Sequence, residues 1–169
     1  MPNSVANHIA IAFGLKGPNV TISNACVSSA EAIGYAYQQI SSGRISVALC
    51  GGTESLVWEP MMATWCKLRV MSTQNETPEK ASRPFDVARD GLVMADGAGA
   101  LILEDYEHAK ARGAKIYAEV TGFGTSCDAT HITAPSTEGQ VRAIEIALND
   151  ARLSPSDVHY INAHGTGTI

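Results

Sequence analysis

"NVTISNACVSSAEAIGYA", residues 19–36, passes from a β-branched run into a stretch of small residues with a single cysteine, Cys26, at the junction. The run 19–23 predicts a short strand. Residues 27–42 predict a helix that closes on "SSGR", with Gly43 suited to cap it. Strand, turn and helix in that order place the Cys26 side chain at a helix N-terminus. Unpaired N–H groups and the helix dipole favour the thiolate there, and the thiolate is the attacking form. The small neighbours Ala25, Ser28, Ser29 and Ala30 let a ligand or another chain approach closely. A buried structural cysteine in a tight turn fits the same stretch, so position alone leaves both readings open.

Working outward, residues 7–15 predict a helix stopped by Gly17-Pro18. "SVALCGG" (46–52) is a continuous apolar run ending in glycines, the pattern of a buried parallel strand. Residues 53–84 carry a short helix near 60–66 and a polar surface loop. "GAGALILED" (97–105) predicts another buried strand, followed by a helix to Arg112. "KIYAEVTGFGTS" (115–126) predicts a long strand. Residues 137–152, opened by a Ser/Thr-Glu start, carry Val141, Ile144, Ile146 and Leu148 in a helical segment. "VHYINAHG" (158–165) predicts a final strand running into glycine. This alternation predicts an α/β fold with a mostly parallel sheet covered on both faces.

Composition narrows the function classes. Twelve basic and seventeen acidic residues give a net charge of −5 without a basic cluster, which argues against nucleic acid. The apolar runs are too short to cross a membrane, and no signal-peptide pattern opens the chain. The four cysteines (Cys26, Cys50, Cys66, Cys127) are scattered with no CxxC pair, so neither a metal site nor a disulfide framework is expected. Reduced thiols in a cytoplasmic setting are the expectation. The chain stops inside "HGTGTI", the loop with the most distinctive pattern, and is expected to be a fragment.

His164 supplies Cys26 with a partner. It ends a predicted parallel strand and is followed by "GTGT". Ligand sites in open α/β sheets lie along the carboxyl edge of the strands, where Cys26 is also expected. Its Nε2 can donate to a thioester or enolate oxygen, and Thr166 and Thr168 can bond a polar ligand arm. Alone, His164 reads as a structural histidine; paired with Cys26, it points to catalysis.

Three segments carry a family resemblance: "GPNVTISNACVSSAEAIGYA" (17–36), "SRPFDVARDGLVMADGAGALILEDYEHAKARGAKIYAEVTGFG" (82–124) and "NAHGTGT" (162–168). Together, in this order, they resemble the condensing enzymes of the thiolase superfamily, the β-ketoacyl–acyl-carrier-protein synthase II group and the ketosynthases of polyketide synthases. The resemblance implies a thiolase-like α/β fold with αβαβα layers. The chain would hold the end of its first half (1–112) and the start of its second (113–169). It implies that Cys26 takes an acyl chain from acyl carrier protein as a thioester. His164 would be one of two histidines that assist decarboxylation of the malonyl carrier and stabilise the enolate that attacks the acyl group. Thr133, Thr166 and Thr168 would line the phosphopantetheine tunnel, Trp65 the acyl pocket, and Arg69 the carrier-facing surface. Since the net charge is acidic, any patch for an acidic carrier must be local, with Lys67 and Arg69 as candidates. Substrates would arrive on phosphopantetheine without a further cofactor. A homodimer would form through the strand before Cys26.

The departures are equally specific. The second histidine, the lysine and the glycine-rich phenylalanine loop of the family lie beyond Ile169, so the chain alone is not expected to condense. "NACVSSAEA" replaces the more usual "TACASG", so Asn24, Val27 and Ser29 alter the pocket. Cys26 itself is kept, unlike in chain-length factors. A Cys/His hydrolase or other acyltransferase, and a non-catalytic assembly or decoy segment, remain alternatives. Among other residues, His131 is read as positional, Cys127 and Asp128 as loop-forming, and Cys50 and Cys66 as apolar filling. Asp86, Arg89 and Asp90 are read as a salt-bridged turn. The glycines after Asp96 make a poor dinucleotide fingerprint, since they enter a strand. With strands of relatives missing, exposed edges and apolar sheet faces are expected.

Overall fold

The computed structural model describes residues 1–169. Five α-helices and two strands follow in chain order: α1 (Ser4–Phe13), α2 (Ser28–Ser41), β1 (Val47–Glu54), α3 (Glu59–Lys67), β2 (Gly97–Glu104), α4 (Tyr106–Ala111) and α5 (Thr137–Ala151), with short 3-10 turns at Pro78–Lys80 and Pro155–Asp157. The chain forms two compact units, Met1–Gly52 with Gly99–Val158, and Thr53–Ala98 with His159–Ile169.

In the first unit the helix ends follow local chemistry. Asp105 caps α4 by accepting from the His108 N–H at 3.0 Å. Ser136 caps α5 by accepting from the Gly139 N–H at 3.0 Å, as the Ser/Thr-Glu start predicts. α1 begins at Ser4, three residues before the expected start, and its last turn is closed by the Gly14 N–H donating to Ala10 and Ile11 carbonyls.

β1 and β2 pair, but not in parallel. The Asp105 N–H donates to the Ser46 carbonyl at 2.8 Å, and Cys50 Sγ faces the Leu101 carbonyl at 3.7 Å. Partners descend along one strand as they ascend along the other, so the pair is antiparallel. The expectation of a mostly parallel sheet therefore fails for this pair. An apolar strand buried on both faces reads the same in either direction, so the sequence pattern cannot supply the sense.

Residues 19–23, 115–126 and 158–165, each expected as a strand, lie outside any strand. A strand is defined by the ladder it makes with a neighbour, and no segment of the chain pairs with these three. Residues 121–126 instead lie between two helices. On one side, Tyr37 Oη donates to the Thr121 carbonyl at 3.1 Å, and Gly34 of α2 sits beneath the Phe123 ring. On the other, Gly122 abuts Ala147 and Ala151, the Phe123 N–H donates to Asp150 Oδ2 at 2.9 Å, and Ser126 Oγ donates to the Gly139 carbonyl at 2.6 Å. Gly122 meets Ala147 and Ala151, Gly124 meets Ala143 and Ala147, and Ser126 meets Gly139. Each two residues of this segment therefore pass about four residues of α5, about 6 Å at about 1.5 Å per residue, which is the stride of an extended chain. The backbone is strand-like and lacks a strand beside it.

The small residues Ala143 and Ala147 of α5 face this segment, whereas Val141, Ile144 and Ile146 are exposed. Across the chain the buried hydrophobic residues are Ala36, Ala81 and Ala109, while Leu101, Ile102 and Ile161 of the expected strands face outward. A packed domain of this size buries about 70% of its unfolded surface, so these are unpartnered faces.

In the second unit α3 starts after the extended Trp58, with Pro60 in its first turn, close to the expected 60–66. Asp96 Oδ1 accepts from the Leu56 and Val57 N–H groups at 2.6 and 2.9 Å and fixes the approach to α3. Arg83 holds the following loop, donating to the Ala81 and Ala88 carbonyls and pairing with Asp90 at 3.0 Å.

Candidate active site

Cys26 lies two residues before the first residue of α2, as a free and exposed thiol. The turn that presents it is built from side chains around it. Asn24 N–H donates to Ser28 Oγ at 2.7 Å, and Ser28 Oγ donates to the Ala25 carbonyl at 2.7 Å. Asn24 Nδ2 donates to Glu31 Oε1 at 2.8 Å, and Thr125 Oγ1 reaches the same carboxylate at 3.4 Å. Ala25 carries the strain of the turn, with φ +47. Of the three departures from the usual cysteine segment, Asn24 thus shapes the turn. Ser29 instead lines a cavity of about 300 Å³ with Ile33, Gly51, Gly52 and Leu101.

Thr133, in the same unit, sits on an exposed loop whose shape is set by Asp128 and His131. Asp128 Oδ2 accepts from the Ser136 N–H at 2.7 Å, and backbone donors hold its carboxyl below the usual range. The Thr133 N–H donates to His131 Nδ1 at 3.1 Å. With Nδ1 accepting, the neutral ring carries its proton on Nε2.

His164 belongs to the second unit and lines a cavity of about 330 Å³ with Phe85, Arg89, Thr166, Gly167 and Thr168. The Gly165 N–H donates to the Ala163 carbonyl at 2.9 Å, a γ-turn centred on His164. Thr166 and Thr168 hydroxyls bond each other at 2.7 Å. The structure brings His164, Thr166 and Thr168 together around this cavity. Trp65 lies within α3 and Arg69 just beyond it, exposed and with φ +57. Cys26 and Thr133 lie in the first unit.

Phe85 and Arg89 are cavity residues that sequence reading did not select. Asp86, Arg89 and Asp90 were expected to pair among themselves, but Asp90 pairs with Arg83 and accepts from Ser72 and Thr73. Arg89 Nε donates to the Thr168 carbonyl at 2.9 Å. The signal available was their place within the same quoted signature, "SRPFDVARDG". The other thiols differ in setting. Cys50 is half-buried, and burial pushes its thiol up, whereas Cys66 and Cys127 are exposed. No group of three or more His, Cys, Asp or Glu side chains is arranged to hold a metal ion, and no helix is long and apolar enough to cross a membrane.

Comparison with known proteins matches residues 1–109 to the β-ketoacyl synthase N-terminal domain and residues 117–169 to the β-ketoacyl synthase C-terminal domain. A 3-oxoacyl-[acyl-carrier-protein] synthase 2 of Vibrio harveyi is 48% identical over 168 residues, covering 98% of this chain and 40% of that protein. The crystal structure of a β-ketoacyl synthase from Burkholderia phymatum superposes with a TM-score of 0.95 at 46% identity, over 100% of this chain and 41% of that one. A ketosynthase of a type II polyketide synthase, solved with its acyl-carrier protein and bound to the hexaketide, gives a TM-score of 0.93 at 38% identity, over 98% of this chain and 41% of that one. The chain thus spans about 40% of the length of these relatives.

Proposed function

Since this chain belongs to the β-ketoacyl synthase family, and is a partial thiolase-like α/β fold, we propose that the whole protein is a 3-oxoacyl-[acyl-carrier-protein] synthase of fatty-acid or polyketide biosynthesis. The observation that carries the reading is the match to both family domains, each with its motif: Cys26 before α2, and His164 beside Thr166 and Thr168. On this reading residues 1–112 close the first half of the duplicated fold and 113–169 open the second.

Cys26 Sγ attacks the thioester carbonyl of an acyl carrier protein, the carrier thiol leaves, and the acyl chain stays on sulfur. On this reading the Cys26 N–H, near the helix start, would help to hold the oxyanion. A malonyl carrier then loses CO₂, and His164 Nε2 donates to the thioester oxygen as it becomes an enolate. A second histidine of the family, placed by the resemblance beyond Ile169, shares this task. The enolate carbon bonds to the acyl carbonyl and Cys26 leaves, giving a 3-oxoacyl chain two carbons longer. Thr133, Thr166 and Thr168 bond the phosphopantetheine arm, Trp65 borders the acyl chain, and Arg69 meets the acidic carrier. No further cofactor is needed, because the substrates bring their own tether. The reading also includes a cytoplasmic homodimer through residues 19–23.

The test uses the full-length protein. Incubation with an acyl carrier thioester should add the acyl mass to Cys26, and malonyl carrier should then release CO₂ and a 3-oxoacyl product. Cys26→Ala should abolish the acylation and the 3-oxoacyl product, whereas His164→Ala should keep the acylation and lose decarboxylation. Release of free acid without elongation would indicate a hydrolase, and an unlabelled Cys26 a non-catalytic protein.

A further inference from the structure

We propose that Arg89 is a positioning residue that holds the His164–Thr168 loop in its working shape. The proposal rests on the reading of that loop as the decarboxylation site. A loop of glycines and threonines has little intrinsic preference for one shape, and glycine loses more conformational freedom on ordering than any other residue. Something outside the loop must therefore fix it. The segment 89–91 does so at two points. The Gly91 N–H donates to the Gly167 carbonyl at 3.0 Å, and Arg89 Nε donates to the Thr168 carbonyl at 2.9 Å. The fit is close: Gly167 has φ +78, and a Cβ there would stand 2.8 Å from the Gly91 carbonyl oxygen.

Arg89 is committed to this task by the company it declines. Asp86 and Asp90 flank it, yet Arg89 makes no ion pair with either; Arg83 takes Asp90. Arg89 Nη1 donates to the Asp86 main-chain carbonyl at 3.0 Å, so the guanidinium ties the two segments together through carbonyls alone. A planar fork can hold two carbonyls at fixed angles, whereas a lysine ammonium is a single point on a flexible stem. Arg89 also lines the cavity that holds His164 and both threonine hydroxyls. Releasing the Thr168 carbonyl frees the peptide after Thr168 and leaves Gly91 as the one remaining tie to the loop. The Thr166–Thr168 hydroxyl pair and His164 then lose their common frame.

The experiment compares Arg89→Lys and Arg89→Ala with the unaltered full-length protein. A charge-assisted bond of this kind predicts a fall in kcat/KM for condensation of about tenfold to a hundredfold, carried mainly by kcat. Lysine should fail to restore it, and added methylguanidinium should partly rescue the alanine variant. A purely structural role would lower the melting temperature without guanidinium rescue. Folded variants with kcat/KM within about twofold of the original would overturn the proposal. If the variants do not fold, the unaltered protein decides by NMR. The Arg89 Nε–H should exchange slowly and show a nuclear Overhauser contact to Thr168; a freely exchanging Nε–H without that contact refutes the proposal. Should the unaltered protein not condense at all, the functional reading falls, while the Nε–H measurement still judges the role of Arg89.

Discussion

Replacing Gly34 with alanine sets two effects of known sign against each other. Gly34 lies in the middle of α2, where alanine should gain about 1 kcal/mol in helix propensity. However, a Cβ at this position would overlap three atoms along one edge of the Phe123 ring. The ring cannot simply withdraw. Its backbone is pinned from one side by Tyr37 Oη on the Thr121 carbonyl, and from the other by the Phe123 N–H on Asp150. Moving it gives up one of those bonds, about 1 kcal/mol, in addition to an overpacking cost of about 1–3 kcal/mol. The collision should win, leaving Gly34→Ala less stable by about 1–3 kcal/mol in urea unfolding of the full-length protein. Phe123→Leu in the same background should return part of the loss, with a coupling energy of about 1 kcal/mol or more. A Gly34→Ala protein that is more stable than the original, with no coupling to Phe123, would show that 121–126 does not pack on the helix presenting Cys26.

Two further outcomes follow from charge and exposure. With iodoacetamide at pH 8, Cys26 should be modified well before Cys50, because burial raises the Cys50 thiol and leaves less thiolate, while Cys26 is exposed; equal rates followed by peptide mass mapping would contradict this. Acid should weaken the junction of β2 and α4. Arg112 Nε and Nη2 donate to the nearly buried Glu104 at 2.7 and 2.6 Å, His108 Nδ1 bonds the same carboxylate, and together they hold its pKa down to about 2 against an ordinary 4.5. A depressed carboxyl stabilises above its unfolded value and loses that contribution as pH falls from 4.5 toward 2. Arg112→Gln should therefore lower the melting temperature at pH 7, with the gap between the two proteins closing as pH falls from 4.5 through about 2; a gap independent of pH would refute the assignment.

What could be read from the sequence divides along a physical line. Helix ends were legible because caps act within three residues: Ser136 and Asp105 stand where their chemistry requires. The place of Cys26 just ahead of α2 was legible for the same reason, whereas the exposure of its thiol was not, since the stretch fits a buried cysteine equally and only the fold decides what covers the turn. Strands depend on a neighbour. Residues 115–126 carry the right side chains, and 121–126 lie extended between α2 and α5, yet the run makes no ladder, and the sense of β1 against β2 left no mark on either strand. The loop 164–168 is the intermediate case. Its residue types announce a polar site, but its shape comes from Arg89 and Gly91, which are remote in sequence. Sequence pattern assigned Arg89 to the nearest acids, because proximity along the chain was the only guide. The folded chain prefers a carbonyl 79 residues away, since Arg83 already satisfies Asp90 and the glycine at 167 lets the two backbones touch. A motif can therefore name the groups that do chemistry, while the groups that aim them are chosen by which partners remain free once neighbouring charges are paired.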